Sequence, residues 1–293
     1  MSNDRESSGI DRRTFLGALA ATGLGAYTLP GCTVSPALST SPPWATRLGV
    51  QLYTLRQRLQ QNVPETLAAI AGIGYVEVET AGYYGLTPAQ FRAELDRAGL
   101  VSPAGHYGLN ALRGDLEGTL DAVAAVGQEW VIVPSLDQRS RTIEGYHEIA
   151  QDFNRFGELA RQRGLRFAFH NHDVEFRAFE NGQVGYDILL AETDPSLVFM
   201  ELDLYWAVRA GRDPIALFES HPGRFPLCHV KDMRTVGGTQ TMVDVGQGDI
   251  DFAAIFAAAP RGGMQHYIVE HDNPDDPVAS IRASYEYLQN LRV

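Results

Sequence analysis

A chain of 293 residues, 44% hydrophobic and 20% charged, has the composition of an ordinary soluble protein with a large core, enough for one large domain or two small ones. Its formal net charge of -12 speaks against a nucleic-acid partner, because phosphate binding draws most of its affinity from Lys and Arg neutralising the backbone. Two cysteines, Cys32 and Cys228, are too few for a disulfide framework.

The first thirty residues read as lying outside the fold. Asp11-Arg12-Arg13-Thr14-Phe15-Leu16-Gly17 resembles the twin-arginine export motif, and Phe15 to Leu29 is weakly apolar, rich in Ala and Gly and uncharged. That is the pattern of a signal h-region, too short and mild for a membrane span. Leu29-Pro30-Gly31-Cys32 resembles a bacterial lipoprotein box, with Cys32 as the residue to be lipidated; ordinary signal-peptidase cleavage just beyond it is the alternative. Residues 33–46, rich in Ser, Pro, Thr and Ala, read as a tether too poor in large apolar residues to pack. The expectation is a signal segment over 1–32, a linker over 33–46 and a folded domain over 47–293. The protein would be exported by the twin-arginine machinery and be periplasmic or anchored through a lipid at Cys32.

From Leu48 onward, short apolar strands alternate with helical stretches. Strands are expected at Leu48–Leu52, Tyr75–Glu79, Val101–Ala104, Trp130–Val133, from Phe167, Val198–Leu202, Pro226–Val230 and Tyr267–Glu270. Helices fall between them, at about 64–71, 88–98, 116–126, 146–163, 186–192, 214–219 and 252–258, and a last one over 278–291 closes the chain. Eight such pairs in about 245 residues match a closed parallel (β/α)8 barrel better than an open doubly wound sheet, and no G-x-G-x-x-G follows the first strand. Cys228, inside the seventh strand, reads as a small buried hydrophobe.

In such barrels the chemistry sits at the carboxyl ends of the strands. Those ends are polar here: Gln51, Glu79, His106, His170 with His172 and Glu175, Asp203, His229 with Lys231, and Glu270. The densest run is Phe167-Ala168-Phe169-His170-Asn171-His172-Asp173-Val174-Glu175-Phe176, which turns from apolar to polar without a Gly or Pro break. Buried groups of that kind need partners, and alternation puts His170 and His172 on one face. One residue of this cluster, together with Asp203, His229 and Glu270, would converge from consecutive strands. Nitrogen plus carboxylate ligands without thiolates suit Mn2+, Co2+, Fe2+, Ni2+ or Zn2+.

The segments His170-Asn171-His172-Asp173-Val174-Glu175-Phe176, Glu201-Leu202-Asp203-Leu204-Tyr205-Trp206, His229-Val230-Lys231-Asp232 and Val245-Gly246-Gln247-Gly248-Asp249-Ile250-Asp251, with Glu270, resemble the sugar phosphate isomerase/epimerase family of the xylose isomerase-like TIM barrel superfamily. That superfamily also holds ketose 3-epimerases, inosose dehydratases and endonuclease IV, and the resemblance runs from Leu48 to the end. It implies a divalent metal on ligands from strands five to eight, with Asp203, His229 and Glu270 at the family's ligand positions. Many epimerases place a Glu on strand five; ligand spacing lands here on His170, with Glu175 as the alternative ligand or as a free base. Ketose epimerases use the strand-five and strand-eight Glu as an acid-base pair, so the change of residue sets this chain apart from that arrangement.

The expected chemistry is deprotonation beside a carbonyl and formation of an enediolate, with Glu270 or Glu175 moving the proton and Lys231 neutralising the substrate oxyanion. Lys231 paired with Asp232 at the surface is the bland alternative. Glu79, His106, His172, Trp206 and Lys231 are expected to contact substrate, with Tyr205 beside them, although aromatic core packing is the commoner fate of such rings. The sequence thus reads as an exported metal-dependent sugar isomerase or epimerase acting on a keto-sugar or an oxidised glycoside. The alternatives are a lyase or dehydratase of the same superfamily and a non-catalytic sugar-binding lipoprotein. An endonuclease IV-like activity conflicts with the acidic charge, and homo-oligomerisation stays open.

Overall fold

The structure is a computed structural model that describes residues 43–293; the expected signal segment with Cys32, and the tether up to residue 42, lie outside the described residues. Eight parallel strands close into a barrel: β1 (Leu48–Gln51), β2 (Glu77–Thr80), β3 (Val101–His106), β4 (Trp130–Val133), β5 (Arg166–His170), β6 (Val198–Asp203), β7 (Leu227–Val230) and β10 (His266–Val269). Sequence neighbours pair throughout, and β1 closes the ring on β10. A two-stranded antiparallel hairpin, β8 (Asp232–Val236) and β9 (Thr239–Val243), projects after β7. The eight-strand barrel is the expected fold.

Side-chain alternation sorts each strand into two faces. Val131, Val133, Phe167, Phe169, Val198, Met200, Leu202, Tyr267 and Val269 face the helices and belong to the large outer core. Residues of the opposite parity form a separate apolar cluster of Ala104, Trp130, Ile132, Ala168, Leu227 and Ile268, with Phe199 packed on it. Two residues further along the same strands, the same face carries His106, His170, Glu201, His229 and Glu270. The barrel interior is therefore an apolar plug capped by a polar layer at the carboxyl end.

Local signals place the helices. Thr87 and Gln90 form a capping box at Pro88–Ala98, and Asp115, Thr142 and Asp251 cap Leu116–Val126, Ile143–Gln162 and Phe252–Gly262. Phe252–Gly262 runs past the expected end at residue 258, with Pro260 inside it. Short helices at Arg56–Gln61, Leu109–Gly114 and Leu204–Arg209 carry too few residues for a periodic signal. Among the described residues, no helix is long and apolar enough to cross a membrane.

Two stretches differ from their sequence reading. Pro43–Thr46, the end of the expected tether, forms a 3-10 turn in which Trp44 is buried, packs on Phe256 and Tyr267, and donates its indole N–H to the Leu288 carbonyl. One large ring is enough to dock a segment that is otherwise small and polar. The loop ahead of Gly246 contains the β8–β9 hairpin. Its signal was Gly237-Gly238, both at positive φ, between two runs that lack a clean hydrophobic face.

Candidate metal centre and substrate cavity

Glu201 on β6 lies in register with His170 on β5, and Asp203 with His229 on β7, so strand pairing alone gathers these groups. Glu201 Oε2 is 3.1 Å from His170 Nδ1, 2.9 Å from His106 Nε2 and 3.4 Å from His229 Nε2. Glu79 Oε1 lies 2.9 Å from His229 Nε2 and 2.7 Å from His106 Nε2, and also accepts from the Gln51 amide. Imidazole N–H groups thus point at two carboxylates that the solvent does not reach. Burial pushes the Glu201 carboxyl up to about 8, with the Glu79 charge adding to it. At Glu79 burial acts the same way, but the His106 and His229 rings outweigh it and hold the acid well below the usual carboxylate range.

These bonds leave the other ring nitrogens facing outward. His229 Nδ1 is 2.8 Å from Glu270 Oε2 and 3.9 Å from Asp203 Oδ2, and His170 Nε2 is 3.7 Å from Asp203 Oδ2. Asp203 Oδ1 caps the following helix by accepting the Trp206 N–H at 2.9 Å, so the residue is both a cap and a site group. Asp203 Oδ2 and His229 Nδ1 are both buried, and each has a charged partner within contact, Lys231 Nζ at 2.9 Å from the first and Glu270 Oε2 at 2.8 Å from the second. Among the described residues, two groups of side chains are compact enough to hold an ion: Asp203, His229 and Glu270; and His106, His170, Glu201 and His229. In the second, the nitrogen–oxygen contacts already serve as N–H···O bonds. The first, flanked by His170 Nε2, has the nitrogen and carboxylate chemistry of a divalent site, and carboxylates behind its imidazoles to fix their tautomers.

Lys231 stands beside this group, with Nζ 2.9 Å from Asp203, 2.7 Å from Glu270 and 2.8 Å from Asp272. Burial works against its charge, but Asp203, Glu270 and Asp272 outweigh it and raise the ammonium well above the usual lysine range. The pairing with Asp232 does not form. Asp232 instead accepts backbone N–H groups from Met233, Gly246, Gly248 and Ile250. Burial raises Glu270, but Lys231 and His229 overcome it and hold the acid far below its ordinary value.

Over this layer opens a cavity of about 450 Å³ lined by residues that include His106, His170, His172, Lys231, Glu270 and Asp272. His172 packs its ring on Trp206, and its Nδ1 and the Trp206 Nε1 are buried without partners. Burial, then the Lys231 charge, lowers His172 to about 4, so the ring is neutral near pH 7. Tyr205 is core, under Arg209.

The structure therefore brings together His106, His170, His172, Asp203, His229, Lys231 and Glu270. Glu79 lies beneath them, turned to His106 and His229 and away from the cavity. Glu175 is also set apart: its Oε2 accepts the His172 backbone N–H at 2.7 Å, its Oε1 has no partner, Arg141 Nε is 3.9 Å away, and it does not line the cavity. A carboxylate three residues along a tight turn reaches its own loop more readily than the barrel axis. Glu201 and Asp272 are additional. The signal for Glu201 was its spacing of two from Asp203, which puts both carboxylates on one face of β6.

Comparison with known proteins bears on this arrangement. A family profile described as xylose isomerase-like TIM barrel matches residues 66–291. Inosose dehydratase of Clostridium beijerinckii is 26% identical over 164 residues, covering 51% of this chain and 53% of the relative. The chain spans about half the length of that protein and of similar dehydratases from other Clostridium species. The crystal structure of a sugar phosphate isomerase/epimerase from Parabacteroides distasonis is 26% identical and superposes with a TM-score of 0.72 over 89% of this chain and 98% of its own. The IOLI protein, solved with a bound zinc atom, shares the fold at 16% identity, with a TM-score of 0.65 over 83% of this chain and 96% of its own.

Proposed function

This chain belongs to the xylose isomerase-like TIM barrel family, and from that premise we propose that it is a divalent-metal-dependent isomerase or epimerase acting through an enediolate on a keto-sugar or related carbohydrate. Elimination of water from the same intermediate, as the name of the dehydratase relatives describes for them, is the second reading. The observation that carries the proposal is the convergence of Asp203 Oδ2, His229 Nδ1 and Glu270 Oε2, all buried, beside Lys231 at the cavity floor.

Asp203, His229 and Glu270, with His170, would hold the cation. When bound, it supplies Lewis-acid polarisation of a carbonyl and its neighbouring hydroxyl, which acidifies the C–H between them. The remaining work falls to the chain. Glu270, which lines the cavity, is placed to accept the carbon-bound proton and return it. The Lys231 ammonium neutralises the oxyanion that develops, at a site where burial strengthens the interaction. His172, whose unpartnered Nδ1 belongs to a ring lining the cavity, supplies a hydrogen bond to a substrate hydroxyl, while Trp206 packs on that ring without lining the cavity.

The test is C–H exchange of keto-sugars in deuterated solvent, followed by NMR, on protein loaded with Mn2+, Co2+ or Zn2+. Exchange by wild type and its loss in Asp203→Ala, together with loss of bound metal by elemental analysis, are the expected results. A metal-free wild type, or an Asp203→Ala variant that exchanges as fast as wild type, overturns the proposal.

We further propose export by the twin-arginine route, carried by Arg12-Arg13 ahead of the uncharged run Phe15 to Leu29. Cell fractionation with mass spectrometry of the mature amino terminus tests it. A terminus at a lipidated Cys32, or at an unmodified residue shortly after it, supports export, and an intact Met1 in the cytoplasm refutes it.

A further inference from the structure

The cavity is larger than its charged floor. At about 450 Å³ it falls within the range of about 300–1,000 Å³ of pockets that enclose a drug-sized ligand. The extra room lies toward the mouth, where Tyr53, Ala81, Pro134, Ser135 and Asn273 replace the histidines and carboxylates of the floor. These rim residues are half-buried or exposed, whereas Lys231, His170 and Glu270 are buried.

Tyr53 is the conspicuous member. It lies in the 3-10 turn Leu52–Leu55 directly after β1, where Leu52, Thr54 and Leu55 are buried, while its own ring is 43% exposed. Its backbone N–H is tied to Gln51 Oε1 at 3.1 Å. The Arg56 guanidinium covers one ring face at 4.0 Å from the centroid. That guanidinium is itself fixed by the Tyr53 carbonyl at 2.7 Å, the Asp272 carbonyl at 2.8 Å and Asn273 Oδ1 at 2.7 Å, so it binds the loop after β1 to the loop after β10. A solvent-exposed aromatic is ordinary. One that is covered on one face by a three-bonded arginine, and that lines a cavity over a polar floor, is a preorganised platform. Pyranose rings present C–H faces between equatorial hydroxyls, which is the surface such a ring accepts.

We propose that the outer part of the cavity is a second sugar subsite with Tyr53 as its stacking platform, so that the substrate is a keto-sugar joined to a second ring by a glycosidic bond. This rests on the proposed deprotonation of a keto-sugar at the floor. Tyr53 touches the ring that does not react, and its role is to set specificity. The competing reading is that Tyr53 only shields Arg56.

The experiment compares one-ring probes, D-fructose and 3-keto-glucose, with two-ring probes, lactulose and 3-keto-sucrose, in metal-loaded wild type, Tyr53→Phe and Tyr53→Ala. The readouts are C–H exchange and calorimetric binding. Wild type is expected to favour two-ring over one-ring probes. Tyr53→Ala should lower that ratio about tenfold, mainly through KM, as the loss of a stacked ring implies, and Tyr53→Phe should keep it. No preference in wild type, or a ratio unchanged in Tyr53→Ala, overturns the inference. If no probe exchanges, the deprotonation reading fails by itself and calorimetry decides the subsite. Weaker two-ring binding in Tyr53→Ala than in wild type then supports it, and equal or absent binding overturns it.

Discussion

Glu201 accepts through a single oxygen, Oε2, from His106 and His170, while its Oε1 is buried without a partner. The accepting Oε2 decides which nitrogen of each ring carries the proton, and therefore which lone pair is left for a metal. Glu201→Gln keeps the shape and removes that preference. Metal affinity, measured by chelator competition, is expected to fall roughly 10- to 100-fold with the far-ultraviolet circular dichroism unchanged; an unaltered affinity would mean the rings are oriented by other contacts. Glu175 gives a pH-dependent prediction. Burial raises its pKa above the ordinary glutamate value, so the folded state holds the proton more tightly than the unfolded chain. The resulting stabilisation is complete below the unfolded value and is lost as pH rises through the raised folded one. Glu175→Gln mimics the protonated form and lacks that loss. The gap in Tm between variant and wild type should therefore open, variant higher, as pH climbs from acid to neutral, and a gap that stays flat would contradict the burial account. At this scale Asp203, His229 and Glu270 were legible because each lies at, or within one residue of, the end of its strand. Glu201, two residues earlier, looked like strand interior.

Among elements, the segment after β7 depends on one acid. Asp232 uses Oδ1 for the Met233 and Ile250 N–H groups and Oδ2 for those of Gly246 and Gly248, which staples the β8–β9 hairpin to the loop leading into Phe252–Gly262. Gly248 has to be glycine here, since a Cβ would sit 2.2 Å from Asp232 Oδ1. Asp232→Asn turns one acceptor into a donor facing backbone N–H groups. A loss of about 1–3 kcal/mol is expected, seen as a Tm drop of several degrees and as faster amide exchange over residues 244–250. Exchange confined to the rest of the barrel would show that the staple lies elsewhere. The motif Val245-Gly246-Gln247-Gly248-Asp249 was readable as a glycine-bearing loop, but its partner was not. Nothing in local spacing says that Asp232 folds back onto it rather than outward to Lys231.

For the whole molecule, the polar layer places Glu79, Glu201, Asp203, Glu270 and Lys231 within the barrel at almost no exposure. An ion bound only by the folded barrel stabilises it by mass action, about 2.7 kcal/mol at a free concentration of 100 Kd. Chelation is expected to lower Tm and re-addition of Mn2+, Co2+ or Zn2+ to restore it; superimposable melting curves with and without chelator would exclude a bound ion as part of the stability. The sequence by itself determined the barrel, the order of its strands and the level at which chemistry would sit. Apolar runs of strand length, separated by helix-length stretches, have few ways to bury both faces, and a strand-end position is readable from where an apolar run stops. Only the tertiary structure decided which polar groups meet. His106 reaches Glu201 across 95 positions and His229 reaches Glu79 across 150, and such pairings depend on barrel register and on the freedom of each side chain to turn inward, outward or back to its own loop. That freedom is why Lys231 joined Asp203, Glu270 and Asp272, why Glu175 turned to the His172 backbone, and why Tyr53, one exposed ring on one turn, carries meaning only beside Arg56 and an open cavity.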